Sequence, residues 1–158
     1  ITEERKKQVL FTDSYYKAGL GLVVRKEVND VKSVDDLKGK TVAVQLGTTG
    51  ALYAEKLKDK GVTVKTFNTS DLACLELKTK GADAVISDKP VLQYFLAEGG
   101  SDYAKMVGTG LTTEDYGIVV SKKHPQLQAA LNKSLANLKK NGEYDKLYEK
   151  WFGEKAAK

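Results

Sequence analysis

Cysteine, histidine, methionine and tryptophan occur once each in the 158 residues, and proline occurs twice. A single cysteine, Cys74, excludes an internal disulfide and a metal site built from several cysteines. Its setting between Ala73 and Leu75 predicts a buried thiol that packs as a small apolar side chain. One histidine, His124, cannot support a histidine-based metal site. We therefore expect neither a metal nor a cofactor.

Long hydrophobic runs are also missing from the sequence. No apolar stretch approaches the length that a bilayer-crossing helix needs, and Ile1 opens directly on a charged segment without the architecture of a signal peptide. We expect any targeting segment to lie outside this chain. Disorder is not expected, because 41% hydrophobic and 30% charged residues are ordinary values for a folded domain.

Charge of one sign is not concentrated anywhere along the chain. The 26 basic and 21 acidic residues give a net charge of +5 and are interspersed along the predicted helices. A nucleic-acid-binding protein more often clusters basic residues with aromatic ones on a single face. We interpret the basic excess as a solvated surface.

The most informative stretch runs from Gly39 to Tyr53. Residues 41–44 form a short apolar run that predicts a buried strand, residues 47–50 (Gly-Thr-Thr-Gly) predict a turn, and a helix is predicted from Ala51 to Lys58. A helix that begins at such a loop leaves N–H groups unpaired beside the positive end of its dipole. The loop is therefore a predicted seat for a carboxylate or phosphate.

Two alternatives apply to this stretch. The loop could be only a connection between a strand and a helix. It could also be compared with a phosphate-binding P-loop, but Val34 stands where that motif needs glycine, and Lys40 precedes the strand instead of following it. The motif logic therefore disfavours a nucleotide-hydrolysing enzyme.

Strands and helices alternate along the rest of the chain. The predicted strands are Leu20 to Val24, Val62 to Phe67, Ala84 to Ile86, Lys105 to Val107 and Tyr116 to Val120. In the first half of the chain, the predicted helices run from Ile1 to Lys7, over a short segment opened by a capping box at Ser33 and Asp36, and from a cap at Ser70 or Asp71 through Lys80. In the second half, they run from Pro90 to Glu98, from Pro125 onward, and from Glu143 to Phe152. The helix that begins at Pro125 carries an apolar stripe of Leu127, Leu131, Leu135 and Leu138. This order predicts an α/β fold with parallel strand pairing.

Ligands in such sheets lie beyond the carboxyl ends of the strands. The residues from Gln45 to Thr49 follow one predicted strand, and Ser87 and Asp88 follow another. An anion seat beside a carboxylate suits a zwitterion that carries both an α-carboxylate and an α-ammonium, and Arg5 could add a bidentate contact to the carboxylate. Each residue also has a structural alternative: Asp88, Thr48 and Thr49 as helix N-caps, and Arg5 as a surface charge.

Several segments carry a recognisable pattern: Ile1 to Lys7, Phe11 to Tyr16, Lys32 to Lys40, Val42 to Gly50, Ala82 to Asp88, Tyr116 to Ile118, and Gly142 to Tyr144 through Trp151 to Gly153. In this order, over nearly the whole chain, they resemble the polar amino-acid-binding proteins of bacterial ABC importers, family 3 of the periplasmic solute-binding proteins. Among the members of that family, glutamine-binding protein closely resembles this chain.

The resemblance implies a type II periplasmic-binding-protein-like fold, in which two α/β lobes joined by two crossing strands close on one amino acid. By this resemblance residues 1–19 are a remnant of lobe 1 with the first hinge strand, residues 20–111 are a complete parallel-sheet lobe 2, and residues 112–158 are the second hinge strand with the C-terminal helices of lobe 1. The first strands and helices of lobe 1 have no counterpart here. We therefore expect a fragment, a redesigned chain or a swapped oligomer, with a domain-swapped homodimer or a complementing lobe-1 fragment as partner.

The resemblance also implies a set of ligand contacts. The ligand carboxylate is expected to contact Arg5, Thr49, Thr48 and Gly47. The ligand ammonium is expected to contact Asp88, and the ligand side chain Gln45 and Ser87. Glutamine-binding protein has Lys at the position of Gln45 and His at that of Ser87, whereas arginine-binding members can carry Gln-x-Gly-Thr-Thr. Glutamine and arginine are both expected ligands.

The implied function is capture of a polar L-amino acid by hinge closure and its delivery to the membrane permease of an ABC importer. The implied location is the periplasm, or the extracellular side with a lipid anchor. A ligand-sensing domain and a dehydratase-like enzyme are alternatives on the same fold. The enzyme is disfavoured because Asp88 is the only obvious carboxylate near the predicted site, with no histidine or cysteine beside it.

Overall fold

The computed structural model describes residues 1–152, except the side chain of Phe152. Gly153, the last residue of the recognised pattern, therefore lies outside the described residues. The strands are β1 (Leu10–Phe11), β2 (Tyr16–Ala18), β3 (Leu20–Arg25), β4 (Thr41–Gln45), β5 (Thr63–Phe67), β6 (Ala84–Asp88), β7 (Ala104–Val107), β8 (Glu114–Tyr116) and β9 (Val119–Val120). The α-helices are α1 (Glu3–Lys6), α2 (Thr49–Glu55), α3 (Ser70–Lys78), α4 (Lys89–Ala97), α5 (Pro125–Lys140) and α6 (Glu143–Phe152).

The chain divides into two compact units. Unit 1 comprises Ile1–Lys17 and Asp115–Lys158, and unit 2 comprises Ala18–Glu114. Strands β2 and β8, in which the chain passes from one unit to the other, pair as a two-stranded sheet.

Unit 2 is built on a five-stranded sheet with the order β5-β4-β6-β3-β7. Strand β4 is parallel to β5 and β6, but β3 is antiparallel to both of its neighbours, β6 and β7. The α/β fold is confirmed, and the sheet that was expected to be parallel is mixed, because β3 runs against both of its neighbours. Helices α2, α3 and α4 return the chain between strands that run the same way. Strand β3 instead enters the sheet directly from β2, without a helical crossover, and runs in the opposite direction.

Apolar side chains cover both faces of this sheet. On β3, Leu22 and Val24 belong to one buried cluster and Val23 to the other, because successive side chains of a strand point to opposite faces. Helix α2 packs into the first cluster, and α3 and α4 pack into the second. Cys74 of α3 is only 3% exposed, so the predicted buried thiol is confirmed. Unit 2 therefore has a complete core of its own.

Unit 1 has almost no core among its described residues. Strands β1 and β9 pair antiparallel, and Thr12 and Val120 are the buried residues of this part of the chain. Helix α5 has no buried residue. The exposed fractions of three large apolar side chains on α5 and α6 are 51% for Leu127, 46% for Leu147 and 70% for Trp151. Of the predicted leucine stripe of α5, Leu127 is thus exposed, whereas Leu131, Leu135 and Leu138 are partly buried.

One predicted strand is divided in two. The sequence predicted a single strand from Tyr116 to Val120, but β8 ends at Tyr116 and β9 begins at Val119. The break occurs where β8 pairs with β2 and β9 pairs with β1, so the same run of residues serves two different sheets. At the break, the Ile118 amide donates to the Thr12 hydroxyl (2.9 Å).

Two predictions from local end signals are confirmed. Ser33 and Asp36 form the capping box, which opens a short 3-10 helix over Val34–Leu37. Pro125 is the first residue of α5, where its missing N–H has no helical partner to lose. Among the helices within residues 1–152, none has the length and apolar character needed to cross a membrane.

Candidate ligand-binding site

The two predicted groups of ligand residues meet at one edge of the unit 2 sheet. Strands β4 and β6 are adjacent and parallel, with Val42 opposite Ala84 and Ala43 opposite Val85. Their carboxyl ends therefore lie side by side, with Gln45 ending one strand and Asp88 the other. A Cβ atom on Gly50 would lie 3.0 Å from the carbonyl oxygen of Ile86, so the close approach of α2 to β6 depends on this glycine.

Thr48 acts as the N-cap of α2. Its hydroxyl accepts a hydrogen bond from the Ala51 amide (3.1 Å) and donates its own hydrogen to the carbonyl of Gln45 (2.7 Å). The side chain of Thr48 therefore caps the helix, as the structural alternative for this residue predicted. Its only hydroxyl hydrogen is already used within the loop, which also contains Gly47 at the turn after β4.

Thr49 is the first residue of α2, and its side chain does not cap the helix. Its hydroxyl donates to the Oε2 atom of Glu114 over 2.8 Å. The other oxygen of that carboxylate, Oε1, accepts from the hydroxyl of Thr112 (3.1 Å). A carboxylate thus binds at the predicted anion seat, and it belongs to the same chain. The sequence offered one signal for Glu114, its position just before the recognised Tyr116 segment, but no local pattern links it to Thr49.

The side-chain amide of Gln45 is held by the segment that leads into α3. Its Oε1 atom accepts from the hydroxyl of Ser70 (2.7 Å), and its Nε2 atom donates to the carbonyl of Asn68 (3.2 Å). Because a carbonyl can only accept, the contact with Asn68 fixes which end of the amide is nitrogen. Ser70 was predicted only as a possible helix cap; Thr69 takes that role instead. The Gln45 amide therefore has a defined orientation at the sheet edge.

Asp88 occupies the N-cap position of α4, but its side chain makes no capping hydrogen bond. The structural alternative of a cap is therefore not supported for this carboxylate. Its backbone pairs with Leu20 of β3, and Ser87 pairs with Gly21, so both positions are fixed by the sheet. Ser87 and Asp88 are both partly exposed, which leaves surface for contact with a small molecule.

Arg5 lies in unit 1, on the exposed surface of α1. Its backbone N–H donates to the hydroxyl of Thr2, which is the N-cap of this helix. A role for its guanidinium in ligand binding stays a prediction. In the part of the chain that the structure describes, no group of three or more His, Cys, Asp or Glu side chains could hold a metal ion.

Residues 1–154 match the family model of the bacterial extracellular solute-binding proteins, family 3. The chain belongs to this family. It is similar to the probable amino-acid-binding protein YxeM of Bacillus subtilis, with 37% identity over 98% of this chain, and to the ABC transporter glutamine-binding protein GlnH of the same organism, with 37% identity over 99% of this chain. It is also similar to the solved structure of an ancestral arginine-binding protein bound to glutamine, with 46% identity over 98% of this chain and a TM-score of 0.91. The family and the fold expected from the sequence are thus confirmed.

These matches cover only part of each relative. The chain spans 59% of the length of YxeM, 56% of GlnH and 68% of the ancestral arginine-binding protein. The names of these family members describe binding proteins, and the family is extracellular.

Proposed function

We propose that this chain is the amino-acid-binding component of an ABC importer, or a piece of one. It captures a polar L-amino acid, with glutamine and arginine as the favoured ligands, and presents it to the membrane permease. Family membership supports this role, as do relatives whose names describe glutamine and arginine binding. We propose no enzymatic activity, and a periplasmic or lipid-anchored extracellular location.

The observation that carries this proposal is the meeting of the Gln45–Thr49 loop with Ser87 and Asp88 at one sheet edge. A free amino acid brings an α-ammonium and an α-carboxylate on the same carbon. Asp88 supplies the negative charge for the ammonium, and the backbone N–H groups of residues 47–49, together with the Thr49 hydroxyl, are the proposed hydrogen-bond donors for the carboxylate. Gln45 and Ser87 are the proposed contacts of the ligand side chain.

Unit 2 is the proposed lobe 2 of the family, with Leu20 to Leu111 as its body. Its separate core supports this assignment, because such a unit can keep its half of the site in shape while the protein opens and closes. Arg5 is the proposed further partner of the ligand carboxylate, as the family resemblance implies. The accessible apolar side chains on α5 and α6 support association with a second copy that exchanges these helices, or with a complementing lobe-1 fragment.

Calorimetric titration of the 158-residue chain against the common L-amino acids tests the proposal directly. The decisive variant is Asp88→Asn, which should weaken binding of amino acids by about 2 kcal/mol or more because it leaves the ammonium without a counter-charge. Des-amino analogues of the same ligands carry no ammonium, so their weaker binding should change far less.

The matched control is Asp59→Asn, which makes the same change of charge at an exposed position of unit 2. It should leave both kinds of ligand unaffected. Equal losses for amino acids and des-amino analogues in Asp88→Asn would mean that Asp88 has only a structural role.

A further inference from the structure

Glu114, the first residue of β8, is held at the predicted anion seat by two hydroxyl groups. Its Oε2 atom accepts from Thr49 (2.8 Å) and its Oε1 atom accepts from Thr112 (3.1 Å). The Thr112 hydroxyl oxygen in turn accepts from the backbone N–H of Leu20 (3.0 Å). Both oxygens of the carboxylate are therefore fixed, and one of the groups that fixes them is part of the proposed ligand site.

This contact limits what Thr49 can do for a ligand. A threonine hydroxyl has a single hydrogen to donate, and here that hydrogen points to Glu114. A ligand carboxylate that bound to the same hydroxyl would have to take this hydrogen bond from Glu114. It would also lie close to a second negative charge, which opposes binding.

We propose that Glu114 is an internal competitor for the ligand carboxylate. Its own carboxylate accepts the hydrogen bond of the Thr49 hydroxyl, and an amino acid that binds this hydroxyl must displace it. Glu114 therefore lowers the affinity for the ligand and sets the ligand concentration at which the site fills. This inference rests on the proposed function, because it takes Thr49 as a contact of the ligand carboxylate. It concerns a residue outside the set of proposed ligand contacts.

The alternative chemistry has the opposite consequence. If Glu114 instead bound a cationic group of the ligand, the ammonium or a guanidinium, its charge would support binding. Removing that charge would then weaken binding, whereas removing a competitor strengthens it. The direction of the change in dissociation constant therefore separates the two roles.

The experiment compares the unmodified 158-residue chain with Glu114→Gln in calorimetric titrations with L-glutamine and L-arginine. Glutamine keeps the shape of the side chain and removes its charge. We expect dissociation constants roughly tenfold lower for both ligands, an effect between those of a like-charge contact in bulk water and near a protein surface. Glu114→Ala removes the competing group entirely and should also bind more tightly, which provides a second reading if Glu114→Gln folds poorly.

Asp115→Asn is the matched control. It removes one negative charge from the adjacent residue, whose carboxylate accepts from the hydroxyl of Ser14 (2.7 Å) rather than from Thr49. Its dissociation constants should stay within about twofold of the unmodified chain, because the charge it removes does not share a donor with the ligand. Tighter binding in all three variants would indicate a general charge effect and overturn the inference.

The remaining outcomes are also decisive. Unchanged or weaker binding by folded Glu114→Gln and Glu114→Ala overturns the competitor role, while binding by the unmodified chain still supports the proposed function. Failure of the unmodified chain and of both Glu114 variants to bind any common amino acid overturns the proposed function, and this inference with it. Far-UV circular dichroism of each variant establishes that it is folded.

Discussion

Gly19 lies beside the backbone of Thr112 within unit 2, and replacing it with alanine should be strongly destabilising. Its φ of +155° is a conformation that residues with a side chain rarely adopt. A Cβ atom at this position would lie 2.2 Å from the carbonyl oxygen of Thr112, whereas ordinary contacts begin at 3.4 Å. The two backbone segments would have to separate by more than an ångström.

The cost of Gly19→Ala can be worked from three contributions. The unfavourable backbone conformation costs about 1–2 kcal/mol, and forcing extra volume into a packed position costs about 1–3 kcal/mol. Separation of the segments would also stretch the hydrogen bond from the Leu20 amide to Thr112 (3.0 Å), at about 0.5–1.5 kcal/mol. We therefore expect the free energy of unfolding to fall by about 2.5–6.5 kcal/mol.

Equilibrium unfolding in urea, followed by far-UV circular dichroism, measures this loss. Gly39→Ala is the matched control, because Gly39 also has a positive φ (+77°) but a Cβ atom there would meet nothing within 4 Å. It should lose only the conformational cost, about 1 kcal/mol. Equal losses for the two variants would refute the argument that the contact with Thr112 is what requires glycine at position 19.

Three further predictions concern pH, ligand binding and assembly. Burial, with a smaller effect from Asp71, raises the pKa of Cys74 to about 12. The thiol of the unfolded chain ionises at its ordinary pKa of 9.0, so the free energy of unfolding should fall as the pH rises above 9.0, by roughly 1.4 kcal/mol per pH unit. Between about pH 8 and 10.5, the urea midpoint of the unmodified chain should fall more steeply with pH than that of Cys74→Ala. Equal slopes of midpoint against pH for the two chains would contradict this prediction. In the complete protein, Arg5→Ala should weaken amino-acid binding by about 2–5 kcal/mol in calorimetry, because it leaves the ligand carboxylate unpaired. A dissociation constant equal to that of the surface control Lys7→Ala would mean that Arg5 does not contact the ligand. Light scattering should find a dimer, because the 51% exposed Leu127 and 70% exposed Trp151 favour association, whereas a stable monomer with ordered C-terminal helices would exclude helix exchange.

Local signals in the sequence were sufficient for much of the secondary structure. The capping box at Ser33 and the proline at the start of α5 act through neighbours three or four residues away, so each can be recognised without knowing the fold. The strand, turn and helix around Gln45 to Thr49 follow from a short apolar run and glycines. These features, with the recognised segments, were enough to predict the α/β fold and the family.

Only the tertiary structure decided the direction of β3 and the chemistry of the predicted anion seat. The apolar run of β3 is compatible with either direction in a sheet, and its antiparallel pairing depends on how the chain enters that sheet. The contact of Thr49 with Glu114 joins residues 65 positions apart, and that of Gln45 with Ser70 joins residues 25 apart. Such contacts follow from the close approach of distant segments after folding, and no periodicity of the sequence encodes them, because periodicity reports only which face of its own strand or helix a residue occupies.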